Sequence, residues 1–572
     1  MLFVKKHIAD RISAAAPALF GGAGLGADSL LELLEYPPDS SMGDIALPCF
    51  KLARTLRQSP VKIAQALAGC FDGDCDVTAT AVNGYLNFTA DNRYLAKTVL
   101  CEIAAGGESY GSPHTGEGKT VVLDYSSPNV AKPFHIGHLG TTVIGHSLKK
   151  IHEFAGYSCV GINHLGDWGT QFGKMIVAYR LWGDKEKVEA GGCDALVELY
   201  VKFHKEAEAD PSLDDRAREE FRKLEQGDPN NIALWQWFKE ISLKEYSTTY
   251  RQLDIEFDSY AGESFYRDKM AAQLEVLREK GLLKLDGGAS LVDLSEYGMP
   301  PCLILKKDGS TLYPTRDIAA AYYRHETYHF DRCIYVTSSQ QSLYFAQLFK
   351  VIELMGYEWA DSLVHVPYGT VSINGEKLAT RTGNVILLKD LLAMAIEKVD
   401  AITKEKNPSM PDDKRAEIAE KVGVGAVVFY YLSNNRIKDI NFMLEDALSY
   451  EGNTGPYAQY TYARTCSVLE KCGDIPAPRR FVAETPEEHD LLVALSQFPE
   501  RVKAALDFLE PSYITRYILD LCAAFNRFYH ECPILTSGDP DATACRAAMT
   551  SAVNTVLGIA FGLICMKKTK QI

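Results

Sequence analysis

No two of the fourteen cysteines in this 572-residue chain are spaced Cys-x-x-Cys. That absence removes zinc ribbons and dithiol redox motifs, and scattered thiols in so long a chain are expected to be free, in a reducing compartment. No stretch reads as long and apolar enough to cross a membrane. The opening residues, Met1-Leu2-Phe3-Val4-Lys5-Lys6, lack the ordered basic, apolar and small-residue regions of a secretory signal. A cytoplasmic protein with no membrane partner is therefore expected. Positive charge is scarce too: the formal net charge is −15, so the broad basic footprint usual in nucleic-acid binders is missing. Local patches remain at Arg479-Arg480 and Lys567-Lys568-Thr569-Lys570, each of which could equally be a solvated surface run. No residue stands out as a nucleophile or as a general base poised for covalent catalysis.

What is present is an ordinary globular composition, 47% hydrophobic and 24% charged, in a chain too long for one core. Residues 1–104 read as a small α+β unit, with helical patterns around Leu30–Leu34 and Val61–Leu67 and a strand at Gly84–Phe88. A Gly-, Ser- and Pro-rich linker follows at 105–119. From Thr120 the pattern is strand, helix, strand: Val121–Asp124, a helix to Phe154, then Ser158–Asn163. That βαβ unit implies a parallel, doubly wound, Rossmann-type sheet over 120–395, with its ligand at the carboxyl ends of the strands. A charged helical stretch at 183–250 reads as an insertion, and further strands are expected at Cys302–Leu305, Cys333–Val336 and Val364–Tyr368. Beyond 395 the pattern is helical to residue 572, a C-terminal helical-bundle domain.

The densest chemical signal is Ser127-Pro128-Asn129-Val130-Ala131-Lys132-Pro133-Phe134-His135-Ile136-Gly137-His138. His135 and His138 are three apart at the start of the helical pattern, so both imidazoles can share one face near an end whose free N–H groups suit a triphosphate. Gly137 permits close approach. The pair could instead be two satisfied core histidines or part of a metal site, although no third ligand is in view. Strand, turn, glycine and helix in this order favour a phosphate corner.

The run resembles the HIGH signature of class I aminoacyl-tRNA synthetases, and its P-N-x-A-K-x-x-H-x-G-H form resembles the arginyl family. Gly375-Glu376-Lys377-Leu378-Ala379-Thr380-Arg381 resembles that class's KMSKS loop in the degenerate form KLATR. Thr380 stands where a second lysine is usual, and Lys132 occupies the place just before the HIGH run that the arginyl family uses instead. Asn163-His164-Leu165-Gly166-Asp167-Trp168-Gly169-Thr170-Gln171-Phe172-Gly173 resembles the family's NHxGDWGTQFG, and Tyr313-Pro314-Thr315-Arg316-Asp317-Ile318-Ala319 its Y-x-T-x-D-x-A.

The resemblance implies an ATP-dependent arginine–tRNA ligase, with Mg²⁺ bridging the phosphates and no covalent enzyme intermediate. Lys132, His135, Gly137, His138 and Lys377 would be catalytic, the last four also binding ATP together with Arg381. Arginine would meet Asp317, Tyr313 and Glu263 at its guanidinium, and Asn129, Gln341, Ser127 and His138 at its α-amino end. Carboxylates suit a flat guanidinium with five donors. A Tyr, Tyr344, stands where the family often has His, so no role is assigned to it. The C-terminal Asn453-Thr454-Gly455-Pro456-Tyr457-Ala458-Gln459-Tyr460 resembles the start of the family's anticodon-binding domain, making Asn453, Tyr457, Gln459 and Tyr460 candidates for tRNA contact. Tyr85 and Asn87 fill that role in the N-terminal unit, which resembles the domain contacting the tRNA elbow. The family further implies a monomer, and activation that waits for tRNA.

Overall fold

The computed structural model describes residues 1–22, 24–132, 134–307, 309–373, 375–377, 386–473 and 477–572. At its centre is a four-stranded sheet in the order Leu363–Tyr368, Arg332–Ser338, Thr120–Asp124, Ser158–Ile162, every neighbouring pair parallel. Thr120–Asp124, the first strand of this sheet in chain order, is thus internal. Its successor, Ser158–Ile162, pairs on one side and the later strands lie on the other, which makes the carboxyl end of Thr120–Asp124 a switch point where a crevice opens. Val121, Val122 and Leu123 are fully buried, as a strand covered on both faces requires: Val121 and Leu123 belong to one apolar core and Val122 to another.

Thr120–Asp124 passes through the histidine corner into the helix Leu139–Phe154, hereafter the corner helix. The insertion is three helices, Lys185–Ala209, Ser212–Glu225 and Pro229–Gln252. Cys302–Leu305, foreseen as a strand, belongs to a separate antiparallel sheet with Leu283–Asp286 and Ala289–Val292. The N-terminal unit has the foreseen α+β character, with helices Leu2–Leu19, Pro60–Ala68 and Asn92–Gly106 beside an antiparallel sheet ordered Ile45–Pro48, Tyr85–Ala90, Val77–Val82.

Two expectations need correction. Position 395 falls inside the helix Leu388–Lys406, and the chain beyond it is not wholly helical: Ile440–Phe442 pairs in parallel with Val371–Ile373. In addition, one helix, Pro540–Leu563, does reach the length and hydropathy of a membrane span, with 67% of its most apolar window buried inside the protein. Its apolar surface packs against the bundle helix Gly455–Cys472 and the corner helix, where Ser147 Oγ donates to Leu563 O at 2.7 Å.

The N-terminal unit also packs on the C-terminal helices. His489 lies between Asp44 Oδ1 and Asn92 Oδ1, each 2.7 Å away, and Lys5 pairs with Glu500 at 2.7 Å.

Candidate active site

The corner is built by reciprocal capping. His135 is the N-cap of a short 3₁₀ turn, Ile136–His138; the Gly137 N–H donates to His135 Nδ1 at 3.0 Å and the His135 N–H to His138 Nδ1 at 3.2 Å. With its Nδ1 accepting, neutral His135 carries its proton on Nε2, whereas His138 Nδ1 faces both the N–H and, at 3.3 Å, the carbonyl oxygen of His135, so the contacts admit either tautomer there. The rings are 4.1 Å apart, centroid to centroid. Burial lowers the pKa of both; for His138, burial and then the neighbouring His135 bring it down to about 3. The corner therefore supplies neutral hydrogen-bond donors rather than imidazolium charge.

The chain after residue 385 returns to this corner. The Ile136 N–H donates to Ile386 O and the Leu388 N–H to Phe134 O, at 3.2 and 2.9 Å. Lys377 is placed by its backbone, opposite Ser372; its side chain, and Arg381 altogether, lie outside the described residues. Half-buried Lys132 is fixed through its carbonyl, which accepts from Tyr246 Oη at 2.8 Å.

At the switch point a cavity of about 480 Å³ opens. All seven residues expected to hold the amino acid line it: Ser127, Asn129, His138, Glu263, Tyr313, Asp317 and Gln341. Ser127 reaches it through a left-handed turn, φ 71° at Ser126 and 47° at Ser127, and its hydroxyl donates to Asp124 Oδ1 at 2.9 Å. Asn129 and Gly166 form a β-bridge so close that a Cβ on residue 166 would stand 2.2 Å from Asn129 Oδ1. Only glycine fits there, which explains one glycine of the NHLGDWG run.

Tyr313 and Asp317 sit in the first turns of the helix Tyr313–Tyr328, hereafter the pocket helix; the Tyr313 residue is 63% exposed. Asp317 accepts a hydrogen bond from Tyr344 Oη, and His164 Nε2 lies 3.9 Å away. Burial raises the Asp317 pKa, against the pull of His164 and Tyr344. Glu263 is clamped from behind. Its N–H donates to Leu165 O at 3.0 Å, while the Ser264 N–H and Oγ each donate to Asp167 at 2.8 Å. Asp167 is fully buried and paired with Lys239 of the insertion at 2.6 Å. The long family-like run thus earns its place structurally: it carries the Glu263 loop. Burial pushes Glu263 up to about 7, opposed chiefly by Arg316.

Sequence reasoning passed over four residues of this neighbourhood. Tyr344 was left without a role and is Asp317's hydroxyl partner. Asp124, at the carboxyl end of Thr120–Asp124, lines the cavity and is paired with fully buried Arg324 at 2.8 Å; its place at a switch point was the available signal. His164 and Arg316 were quoted within motifs and given no function.

Among the candidates for RNA contact, Asn453 and Tyr460 are exposed, and Arg464 lies over the Tyr460 ring at 5.0 Å. Tyr457 is half-buried, its hydroxyl accepting from Asn526 Nδ2 at 2.9 Å. Gln459 must be withdrawn: it is completely buried, its amide donating to Lys421 O and Lys567 O at 3.1 and 2.9 Å, with no face open to a base. In the N-terminal unit Tyr85 is 38% exposed, edge-on to Phe50, and Asn87 is half-buried.

The chain also matches known protein families along most of its length. Residues 100–444 match the family described as tRNA synthetases class I (R), catalytic domain. Residues 458–572 match the DALR anticodon binding domain, and residues 3–90 the arginyl tRNA synthetase N terminal domain. An arginine–tRNA ligase of Alkaliphilus metalliredigens is 49% identical over 551 residues, covering 96% of this chain and 97% of that one. One from Clostridioides difficile is 51% identical over 514 residues, covering 89% and 90%. The fold is also that of Thermus thermophilus arginyl-tRNA synthetase, with a TM-score of 0.83 at 24% identity over 99% of this chain and 100% of that one. The chain belongs to the class I arginyl-tRNA synthetases.

Proposed function

We propose that the switch-point cavity binds L-arginine with its guanidinium toward Asp317 and Glu263 and its carboxylate toward the histidine corner, where ATP lies. The overall reaction is the family's: arginine and ATP give arginyl-adenylate and pyrophosphate, and the aminoacyl group then passes to the 2′-hydroxyl of the terminal adenosine of arginine tRNA. The observation that carries this reading is the meeting of the Asp317 and Glu263 carboxylates, on separate segments, in one cavity that also contains His138. A guanidinium can be answered there by charge-assisted bonds from two directions.

In the first step a substrate carboxylate oxygen attacks the α-phosphorus and the bond to the bridging oxygen breaks, so pyrophosphate leaves with that electron pair. No proton has to be moved by the enzyme. Such a displacement depends on positioning and on stabilising charge as it spreads over the phosphate oxygens. The Nε2–H group of His135, and that of His138 in its Nε2–H tautomer, would offer neutral donors to those oxygens, and Lys132 a cation beside them. Lys377 would approach from the strand opposite Ser372, and Arg381 belongs to the same loop. Among the described residues no three His, Cys, Asp or Glu side chains form a metal-binding group. Mg²⁺ bound with ATP would supply charge neutralisation on the phosphates, and the chain's own share is orientation and charge.

Asn129 and Gln341 would accept from the α-ammonium group, with Ser127, hydrogen-bonded to Asp124, in the same cavity. At the RNA end, exposed Tyr460 and Asn453 are the remaining candidates for base contact, with Tyr457 beside them and Tyr85 and Asn87 on the N-terminal unit. A monomeric, cytoplasmic enzyme whose activation step requires tRNA completes the reading. Because a site built around a guanidinium leaves its carboxylates unpaired with any analogue lacking the charge, discrimination should be strong without an editing domain. Citrulline, nearly isosteric with arginine but uncharged, tests this directly. It should support no pyrophosphate exchange at concentrations that saturate with arginine, and efficient exchange with it would remove the carboxylates from the recognition site.

A further inference from the structure

The residue before Asp317 is itself an arginine. Arg316 Nη1 donates to Glu263 Oε2 at 3.2 Å, in a pair whose side chains are only 13% and 15% exposed. The Arg316 guanidinium lies over the Tyr313 ring at 5.0 Å, and its Nε is buried without a hydrogen-bond partner among the described residues. An internal guanidinium therefore already rests on a carboxylate and a ring that the reading above gives to the substrate. Either the substrate must expel it, or it is a fixed part of the site. Its burial and its contact with only one of the two carboxylate oxygens favour the second, because Glu263 Oε1 has no hydrogen-bond partner among the described residues.

We propose that Arg316 is a positioning residue for amino-acid recognition: it stays on Glu263 Oε2 and holds that carboxylate aimed into the cavity, so that Oε1 takes the incoming guanidinium. This rests on Glu263 being a substrate ligand. The charged and titratable groups facing Glu263 are Arg316 and Asp317 of the pocket helix, Asp167 of the loop after Ser158–Ile162, and Lys132 of the loop after Thr120–Asp124. His164 and Tyr344 act on Asp317, and Glu225 of the insertion lies beyond Arg316. Burial drives Glu263 toward protonation, Arg316 opposes it most, Asp317 and Asp167 add to the rise, and Lys132 opposes it less. Without the Arg316 charge the carboxyl, already lifted to about 7 by burial, moves further toward protonation, and a neutral acid cannot make the charge-assisted pair that a guanidinium requires.

The test compares the full-length protein with Arg316→Gln, Arg316→Lys and Glu263→Gln, measuring KM for arginine, KM for ATP and kcat from pH 6.5 to 8.5 with saturating tRNA. Arg316→Gln should raise KM for arginine several-fold at pH 6.5, approaching about tenfold for each unit by which the Glu263 pKa rises. The defect should shrink as pH rises, fall on KM for arginine rather than on KM for ATP or kcat, and be largely repaired in Arg316→Lys. An unchanged or lowered KM for arginine would make Arg316 a place-holder and overturn the proposal. A rise of the same size at every pH would assign it to packing and overturn it equally. If Glu263→Gln leaves KM for arginine unchanged, the reading of Glu263 as a ligand is what fails; if it raises KM while Arg316→Gln does not, the positioning role alone fails.

Discussion

Replacing Asp317 by Asn removes one negative charge from the cavity while keeping the shape of the side chain. The carboxylate is held by Tyr344 Oη and faces His164 at 3.9 Å, with 28% of its side chain still exposed. Truncating one partner of a buried charge pair costs about 2–5 kcal/mol. Residual exposure lets water screen the substrate's cation, so the lower part of that range applies, about 2–3 kcal/mol, which is roughly 30- to 150-fold in affinity. The assay is arginine-dependent pyrophosphate exchange at saturating ATP and tRNA, with KM for ATP measured alongside. The arginine effect should appear with KM for ATP nearly unchanged, because the histidine corner is on a different segment. Tyr344→Phe keeps the charge and removes one hydrogen bond, worth about 0.5–1.5 kcal/mol, so a roughly two- to tenfold effect is expected. A KM for arginine within twofold of wild type in Asp317→Asn would refute the placement of the guanidinium.

Other perturbations reach separate parts of the structure. His138→Ala deletes a neutral donor from the phosphate corner and should lower kcat by about 10²–10³, the usual cost of one preorganised donor; a loss below tenfold in single-turnover adenylate formation would contradict that role. His146 and His152 of the corner helix are almost wholly buried, and burial brings their pKa values down to about 3 and about 4. The unfolded chain binds protons near pH 6.5 that the folded chain refuses, so stability is lost as pH falls below that point, by about 2 kcal/mol per histidine at pH 5. Thermal unfolding between pH 8 and 5 measures this, and a flat profile would contradict the burial. His489 runs the other way: burial works against its charge, but the bond to Asp44 outweighs it and raises the pKa. Its contribution to docking of the N-terminal unit is complete below about pH 6.5 and declines as pH rises through the raised value; hydrogen exchange in residues 85–95 should quicken with pH beyond its intrinsic increase, and His489→Gln should abolish the difference. Finally, Asp167→Ala strands Lys239 and frees Ser264, a broken buried pair worth about 3 kcal/mol. Lowered denaturation temperature and weaker arginine binding should appear together, and a change in one alone would separate Asp167 from the Glu263 loop.

The parts of the fold that could be read from sequence are those whose signal is local. Val121-Val122-Leu123 announces a strand buried on both faces, and His135, Gly137 and His138 announce a helix start with donors on one side. What escaped depends on contacts distant in the chain. The pairing of Ile440–Phe442 with Val371–Ile373 joins segments almost seventy residues apart, and a three-residue strand has no periodicity to display. Tyr344 acts through Asp317 from another helix, and Arg316 occupies a variable position of the motif that drew attention to its neighbours. Gln459 failed for a geometric reason: successive helical positions are turned by about 100°, so a glutamine beside exposed Tyr460 can point into the bundle with Ala458 and Tyr462. Pro540–Leu563 was overlooked as a span candidate because alanine, threonine and glycine dilute its large apolar residues, although they suit it to close packing.

The central claim is that this cavity recognises a guanidinium and delivers its carboxylate to ATP. Pyrophosphate exchange with each of the twenty amino acids, with and without total tRNA, tests it most directly. Exchange with arginine alone, and only when tRNA is present, is the expected result. Exchange with a different amino acid, or with none under either condition, would contradict the account.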